Sequence, residues 1–269
     1  MLSSFRQQTG YTVSMTKRSE IVAYCEDLLE VDRFRDYCPN GLQVEGNPEI
    51  RKVVSGVTAS RALIEAAVEQ GADTVLVHHG YFWKGEHSTI TGMKRERIRL
   101  LLDNNINLLA YHLPLDAHPE FGNNAQLAAQ LGLQHEGGFG GNGGPDIGMF
   151  GRLASPQSGE DFAGHIASVL GRDPLYIDGP GQSRPVERVA WCTGGAQGYI
   201  EQAAAIPGID TFITGEVSEH TVHVARELGL HFYAAGHHAT ERYGVQALGE
   251  HLAGKYTLEH TFIDIDNPA

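Results

Sequence analysis

Gly71-Ala72-Asp73-Thr74-Val75-Leu76-Val77-His78-His79 lines up without gaps on Gly208-Ile209-Asp210-Thr211-Phe212-Ile213-Thr214-Gly215-Glu216. Each segment reads as a strand entered through Gly-x-Asp-Thr, preceded by a strand and helix and followed by another helix and strand. The following strand ends in histidine both times, at Tyr111-His112 and at Gly236-His237. The pair is either an internal duplication or a chance likeness of two βαβ units. Under both readings, polar ligand-type residues stand at the carboxyl ends of four strands, where open α/β sheets gather their sites.

Outward from these segments the chain alternates strand and helix. Strands are expected at Lys52–Val57, Thr74–Val77 and Asn107–His112, with helices near Ser19–Glu30, Ser60–Gln70, Lys94–Asn104 and Asn123–Leu131. In the second half, strands are expected at Gly148–Ala154, Leu175–Ile177, Val186–Cys192, Thr211–Thr214, His231–Ala235 and His260–Ile265. The helices there are near Glu160–Leu170, Ile200–Ala205, Glu219–Leu228 and Glu241–Leu252. Asp36–Val44 reads as an extended loop turning at Asn40-Gly41. The alternation implies an α/β fold with right-handed crossovers and a largely parallel sheet covered by helices. Gly137–Gly144 reads as a mobile linker or loop, which divides an N-terminal lobe, 15–136, from a C-terminal lobe, 137–269, both contributing to one site. Residues 1–14 are polar and patternless ahead of Met15-Thr16-Lys17-Arg18, which reads like a second start, so they are expected to lie outside the fold.

Composition narrows the function classes. With 269 residues, 41% hydrophobic and 20% charged, the chain can bury a sizeable core and is not globally disordered. Its formal charge of -13 opposes broad binding to a nucleic-acid backbone or an anionic membrane surface. Three cysteines with no CxxC pair fit a reducing compartment, the cytoplasm, and argue against thiolate metal sites. No apolar run reaches the roughly 18 residues of a membrane span, and no secretory leader is evident.

The fourteen histidines concentrate where chemistry is expected. Val77-His78-His79-Gly80, Tyr111-His112-Leu113-Pro114-Leu115-Asp116 and Gly236-His237-His238-Ala239-Thr240-Glu241 each follow an apolar run. Imidazole with carboxylate is the ligand set of Zn, Mn, Fe or Ni. His78 and His79 alternate sides of a strand but straddle a site once the chain turns at Gly80; His237 and Glu241 are four apart and share a face if a helix begins at or just before His237. His78, His79, Asp116, His237 and Glu241 make five ligands, one more than a closed tetrahedral site takes, so two divalent ions sharing a carboxylate fit better than one. His112 and Glu216 are candidates to line the site, orient a ligand or act in catalysis, and His238 points away if His237 points in. His87, His118, His135, His165, His220, His223, His231, His251 and His260 are left to ordinary hydrogen bonding. Gly194-Gly195-Ala196-Gln197-Gly198 can present backbone N–H groups to an anion or form a plain tight turn. No GxSxG elbow or Cys-His pair points to a covalent nucleophile.

Pro39-Asn40-Gly41-Leu42-Gln43-Val44, His78-His79-Gly80, His112 with Leu115-Asp116, Thr214-Gly215-Glu216, Gly236-His237-His238-Ala239-Thr240-Glu241-Arg242 and the tail Phe262-Ile263-Asp264-Ile265-Asp266-Asn267-Pro268 carry a resemblance. Over residues 17–268 the chain resembles the GTP cyclohydrolase 1 type 2, or NIF-three-like, family. The resemblance implies a dinuclear centre on the same five residues with the glutamate touching both ions. It also implies two related lobes, a hexameric toroid with its metal sites facing the interior, and the compact form without an inserted domain. The implied activity is hydrolytic ring opening of GTP with loss of formate. Arg242 and Lys84 lie nearest the motifs as candidates to hold such a substrate, and Arg61 follows the first strand. The expectation is a two-metal hydrolase of a small nucleotide-like molecule; the alternative is a non-catalytic metal-binding adaptor. A DNA-binding toroid is disfavoured by the charge.

Overall fold

Strand Thr74–His79 lies at the centre of a five-stranded sheet ordered Glu259–Phe262, Lys52–Thr58, Thr74–His79, Asn107–Ala110 and Gly41–Val44. The first four strands are parallel and the last is antiparallel. The computed structural model describes residues 15–141, 143–179 and 184–269; the 1–14 extension lies outside the described residues. Continuous Val/Leu runs such as Val75-Leu76-Val77 are fully buried, as a sheet covered on both faces requires. Helices Arg61–Glu69 and Gly92–Asp103 cover one face with Leu63, Ile64 and Leu101. Helices Arg18–Leu28 and His237–Tyr256 cover the other, burying Ile21, Val245, Leu248 and Leu252 against Leu76 and Leu109.

The second sheet runs Gln134–Phe139, Gly148–Gln157, Val186–Trp191, Thr211–Thr214, His231–Ala234 and Leu175–Asp178. Its middle three strands are parallel, whereas the flanking strands are antiparallel, so this lobe is mixed rather than mostly parallel. Part of the glycine-rich stretch expected as a linker is the strand Gln134–Phe139. The Phe150 ring lies over Gly137, where a Cβ would come within 2.5 Å of it; an aromatic ring covering a bare backbone supplies the packing that glycine lacks.

The aligned segments are equivalent in space. Val53 pairs with Thr74 and Val189 with Thr211. The Asp73 carboxylate accepts the Arg51 and Lys52 backbone N–H groups at 2.8 and 3.0 Å. The Asp210 carboxylate accepts those of Glu187 and Arg188 at 3.2 and 2.9 Å. Each aspartate thus ties down the start of the preceding strand.

The chain does not finish in the second sheet. After His231–Ala234 it enters helix His237–Tyr256, and strand Glu259–Phe262 pairs with Lys52–Thr58 of the first sheet. The expected second lobe, 137–269, therefore begins early, at Gln134, and yields its last helix and strand to the first lobe. This return places the N-terminal turn of that helix between the two sheets. Among the described residues, no helix is long and apolar enough to cross a membrane.

Candidate metal centre

Five side chains from three segments converge at the carboxyl ends of the strands. His78 and His79 end strand Thr74–His79, and Asp116 lies on the short helix Leu113–Ala117 that follows strand Asn107–Ala110. His237 and Glu241 occupy the first turns of helix His237–Tyr256. That helix begins at His237, one turn before the expected Glu241, because Gly236 takes φ 100° and the Thr240 hydroxyl donates back to the Gly236 and His237 carbonyls at 2.9 Å. The extra turn sets His237 and Glu241 on one face.

The carboxylate of Glu241 divides these residues into two groups. Its Oε1 lies 3.4 Å from His78 Nε2, which is 3.5 Å from Asp116 Oδ1. Its Oε2 lies 3.2 Å from His79 Nε2 and 3.2 Å from His237 Nε2. His78–Asp116–Glu241 and His79–His237–Glu241 each bring their ligand atoms close enough to hold a metal ion. His78 Nε2 and Glu241 Oε2 are buried without a hydrogen-bond partner. Such orphaned polar atoms are costly in a core, and a cation among them satisfies both.

Each of these three histidines has its other nitrogen fixed. His78 Nδ1 is 2.9 Å from the Tyr111 carbonyl, His79 Nδ1 3.1 Å from the Thr58 hydroxyl, and His237 Nδ1 2.7 Å from Glu216 Oε1. These partners select the ring orientation that presents Nε2 to the site. Asp116 Oδ1 accepts from Asn123 Nδ2 at 2.9 Å and from the Thr193 hydroxyl at 3.3 Å.

Electrostatics follow from this packing. Burial opposes charge on His78, but Asp116 and Glu241 outweigh it and raise the imidazole to about 9. His237 behaves likewise, raised to about 9 against its burial by Glu241 and Glu216. Burial lowers His79 to about 3, and its histidine neighbours add to that. Burial would raise Glu241, yet His78 and His79 hold its carboxyl well below the ordinary range. Glu241 is therefore an anion and His79 a neutral imidazole, the forms that bind metals.

Two glycines let the helix approach. A Cβ on Gly194, whose φ is +67°, would stand 2.0 Å from Glu241 Oε1. One on Gly215 would stand 2.6 Å from the His237 Cα. The loop Gly194–Gly198 thus serves close packing, with the Gly194 N–H given to the Thr240 hydroxyl and the Ala196 N–H to that of Thr214.

The remaining candidates separate. Glu216 orients His237, with its other oxygen 3.3 Å from Gln197 Nε2. His238 turns away to Asp264, 2.7 Å from it. His112 lines the cavity, its Nδ1 2.7 Å from Asp36 Oδ1. Burial alone would raise Asp36, but its bonds to His112 and Asn40 bring the carboxyl below its usual range. Arg242 instead binds the Leu170 carbonyl and Asp264 beside a different cavity, and Lys84 is exposed. Of the histidines left to hydrogen bonding, His231 meets Tyr176, His251 meets Tyr24 and His260 meets Ser55.

Several contributors were given no role at the site from sequence. Asp36–Val44, expected as a loop, ends in strand Gly41–Val44 and supports the site. Asn40 Oδ1 accepts the His112 N–H at 2.7 Å, and Gln43 Oε1 accepts that of Tyr81 at 2.7 Å, fixing the turn after His79. Cys192, one of the three cysteines whose lack of a CxxC pair argues against thiolate ligands, borders the cavity; burial and the Asp116 and Glu241 charges keep its thiol well above the usual value. The cavity measures about 710 Å³ and includes Tyr37, Trp83, Ile147 and Tyr199 among its walls.

Comparison with known proteins agrees with this architecture. A profile described as Duf34/NIF3 (NGG1p interacting factor 3) matches residues 16–268. A Pseudomonas aeruginosa protein named GTP cyclohydrolase 1 type 2 homolog is 59% identical over 251 residues, 93% of this chain and 98% of its own. The Escherichia coli K12 protein of the same name is 54% identical over 253 residues, 94% and 100% of the two chains. The solved structure of protein ybgI, described as of unknown function, superposes with a TM-score of 0.90 at 54% identity, covering 94% of this chain and all 100% of that one. A Thermus thermophilus structure gives 0.83 at 33% identity, with 94% and 100% covered. With shared sequence along nearly its whole length and a shared fold, the chain belongs to the Duf34/NIF3 (NGG1p interacting factor 3) family.

Proposed function

We propose that this chain is a hydrolase that holds two divalent cations, one among His78, Asp116 and Glu241, the other among His79, His237 and Glu241. The observation that carries the reading is the division of the Glu241 oxygens, one toward each group. The donors are nitrogen and oxygen, the set suited to Zn, Mn, Fe or Ni. Such a pair supplies Lewis-acid polarisation of substrate and water. The protein's own residues do the positioning: Glu216, Thr58 and the Tyr111 carbonyl hold the imidazoles, while Asn123 and Thr193 hold Asp116.

The names of the relatives add a direction. They are called homologs of a GTP cyclohydrolase, which supports hydrolysis within the ring of a nucleotide-like molecule. The cavity beside the cations, about 710 Å³, suits a small molecule of that size. The same reading takes the active form as a cytoplasmic hexamer of this chain, as the sequence resemblance implies.

Elemental analysis of protein purified without added metal, followed by a screen of purine compounds beside Glu241→Gln, tests the proposal. About two transition-metal equivalents per chain and a product that the variant fails to make support it. Absence of metal with no rebinding overturns it. Full metal content with no turnover on any compound favours a non-catalytic metal-binding adaptor. Light scattering that shows a stable monomer contradicts the hexamer.

A further inference from the structure

After strand Glu259–Phe262 the chain runs on through Ile263-Asp264-Ile265-Asp266-Asn267-Pro268-Ala269, a tail outside both cation groups that returns to the helix carrying His237 and Glu241. Ile263 and Ile265 pack against the first-lobe core, and the Ile263 N–H donates to the Ser55 carbonyl at 2.9 Å. Asp264, between them, turns the other way, as alternation along a stretched chain directs. Its Oδ1 lies 2.7 Å from His238 Nε2 and its Oδ2 3.2 Å from Arg242 Nη1. One carboxylate thus grips two side chains a helical turn apart, each next in sequence to a cation ligand.

The start of that helix has no cap of its own. Gly236 precedes it with φ 100° and no side chain to accept the first N–H groups, a role that Ser, Thr, Asp or Asn usually fills. Position 236 is also crowded: a Cβ there would stand 2.3 Å from Arg172 Nη1. The tail supplies the missing acceptor, since an Ala269 backbone oxygen takes the His238 N–H at 3.1 Å. Arg172 Nη1 in turn donates to the Pro268 carbonyl at 2.8 Å and fastens this end of the tail to the second lobe. Rooted in the first sheet and tied to the second lobe, the tail holds the first helical turn from outside.

Placement decides which cation group feels this hold. Asn267 and Ala269 wall a cavity of about 160 Å³ whose other walls include Thr58, His79 and His237. Among the described residues, neither His78 nor Asp116 borders it. His237 opens the helix, whereas the turn bearing Glu241 has further ties: the Thr240 hydroxyl accepts the Gly194 N–H at 3.0 Å, and Asn123 Oδ1 accepts the Gly244 N–H at 2.9 Å. Loosening the tail therefore displaces the His237 imidazole before it displaces Glu241.

We propose that Asp264 is a positioning residue for the cation group His79–His237–Glu241: through His238 it fixes the first turn of the helix and with it the His237 imidazole. The inference rests on the two-cation reading for what His237 binds, and it gives Asp264 no contact with cation or substrate.

Isothermal titration of metal-free protein with zinc, on the parental chain and on Asp264→Ala, Asp264→Asn and His238→Ala, tests it. In Asp264→Ala, zinc affinity falls about tenfold at one position, the one that His237→Ala abolishes, and stays near the parental value at the other. Asp264→Asn keeps an oxygen for His238 and retains most of the affinity. In a His238→Ala background, Asp264→Ala costs little further, because the contact is already gone. Amide hydrogen exchange at His238 quickens about tenfold in metal-free Asp264→Ala. The Tm falls by no more than about 4 °C, since an ion pair open to solvent on one side contributes little to stability. Equal weakening at both positions with a larger fall in Tm marks a merely structural role and overturns the inference, as does unchanged exchange at His238. Parental protein that binds no zinc defeats the two-cation reading and this inference together; two parental sites left unchanged by Asp264→Ala defeat this inference alone.

Discussion

His237 and Glu241 lie one helical turn apart on helix His237–Tyr256, with His237 Nε2 3.2 Å from Glu241 Oε2. The first residue of the helix and the one a turn later therefore meet over a site whose other members, His78, His79 and Asp116, belong to the first lobe. Because the helix continues into the first-lobe core through Val245, Leu248 and Leu252, the site is as rigid as that packing.

The Glu216–His237 contact predicts unequal damage to the two cation positions. Glu216→Gln keeps the shape but removes the charge 2.7 Å from His237 Nδ1. Zinc affinity falls about 10- to 100-fold at one position and stays near the parental value at the other. Isothermal titration resolves the two; equal weakening of both contradicts the division.

Gly194→Ala places a methyl group where Glu241 Oε1 stands 2.0 Å away, on a backbone with φ +67°. Left-handed strain alone costs about 1–2 kcal/mol, and Glu241 must move. Thermal unfolding shows a lowered Tm and metal content drops below one equivalent per chain; parental metal content would show that the carboxylate needs no close approach.

Protons compete with metal. His78 and His237, raised to about 9, carry a proton in the metal-free chain at neutral pH, and a cation must displace it. Their protonated pairs stabilise the metal-free fold fully below about 6.5, their ordinary value, and that contribution is lost as pH rises through about 9. Apparent zinc affinity accordingly rises between about pH 6.5 and 8.5, by up to about tenfold per pH unit for each displaced proton. Competition titrations with a chelator check this, and a flat profile contradicts it.

Asp73 and Asp210 do the same work in the two sheets. Removing either carboxylate leaves two backbone N–H groups at a strand start without their acceptor. Asp73→Ala and Asp210→Ala are each predicted to cost about 2 kcal/mol. With no shared partner, the double variant loses the sum to within about 0.5 kcal/mol in denaturant unfolding. A strongly non-additive pair would mean that the lobes are coupled at these strand starts.

Much of this architecture was legible in the residues, because strand and helix periods of apolar side chains persist wherever an element faces a core. Thr211–Thr214 and Asn123–Leu131 end where their patterns end. What escaped depends on distant contacts. Gly137 looks like linker until Phe150 covers it. The first turn of helix His237–Tyr256 carries polar residues turned toward the site, so no apolar period announces it. The clustered histidines and carboxylates were visible as motifs; the Asp36–His112 pair, 76 residues apart, and the gathering of Trp83 with Tyr199 arise from chain crossings that no local pattern encodes.

Anomalous diffraction from crystals of zinc-loaded protein, measured at the zinc edge, addresses the central claim most directly. The account predicts two peaks about 3.5–4 Å apart, one beside His78 and Asp116, the other beside His79 and His237, with Glu241 between them. A single peak, or density away from Glu241, would contradict it.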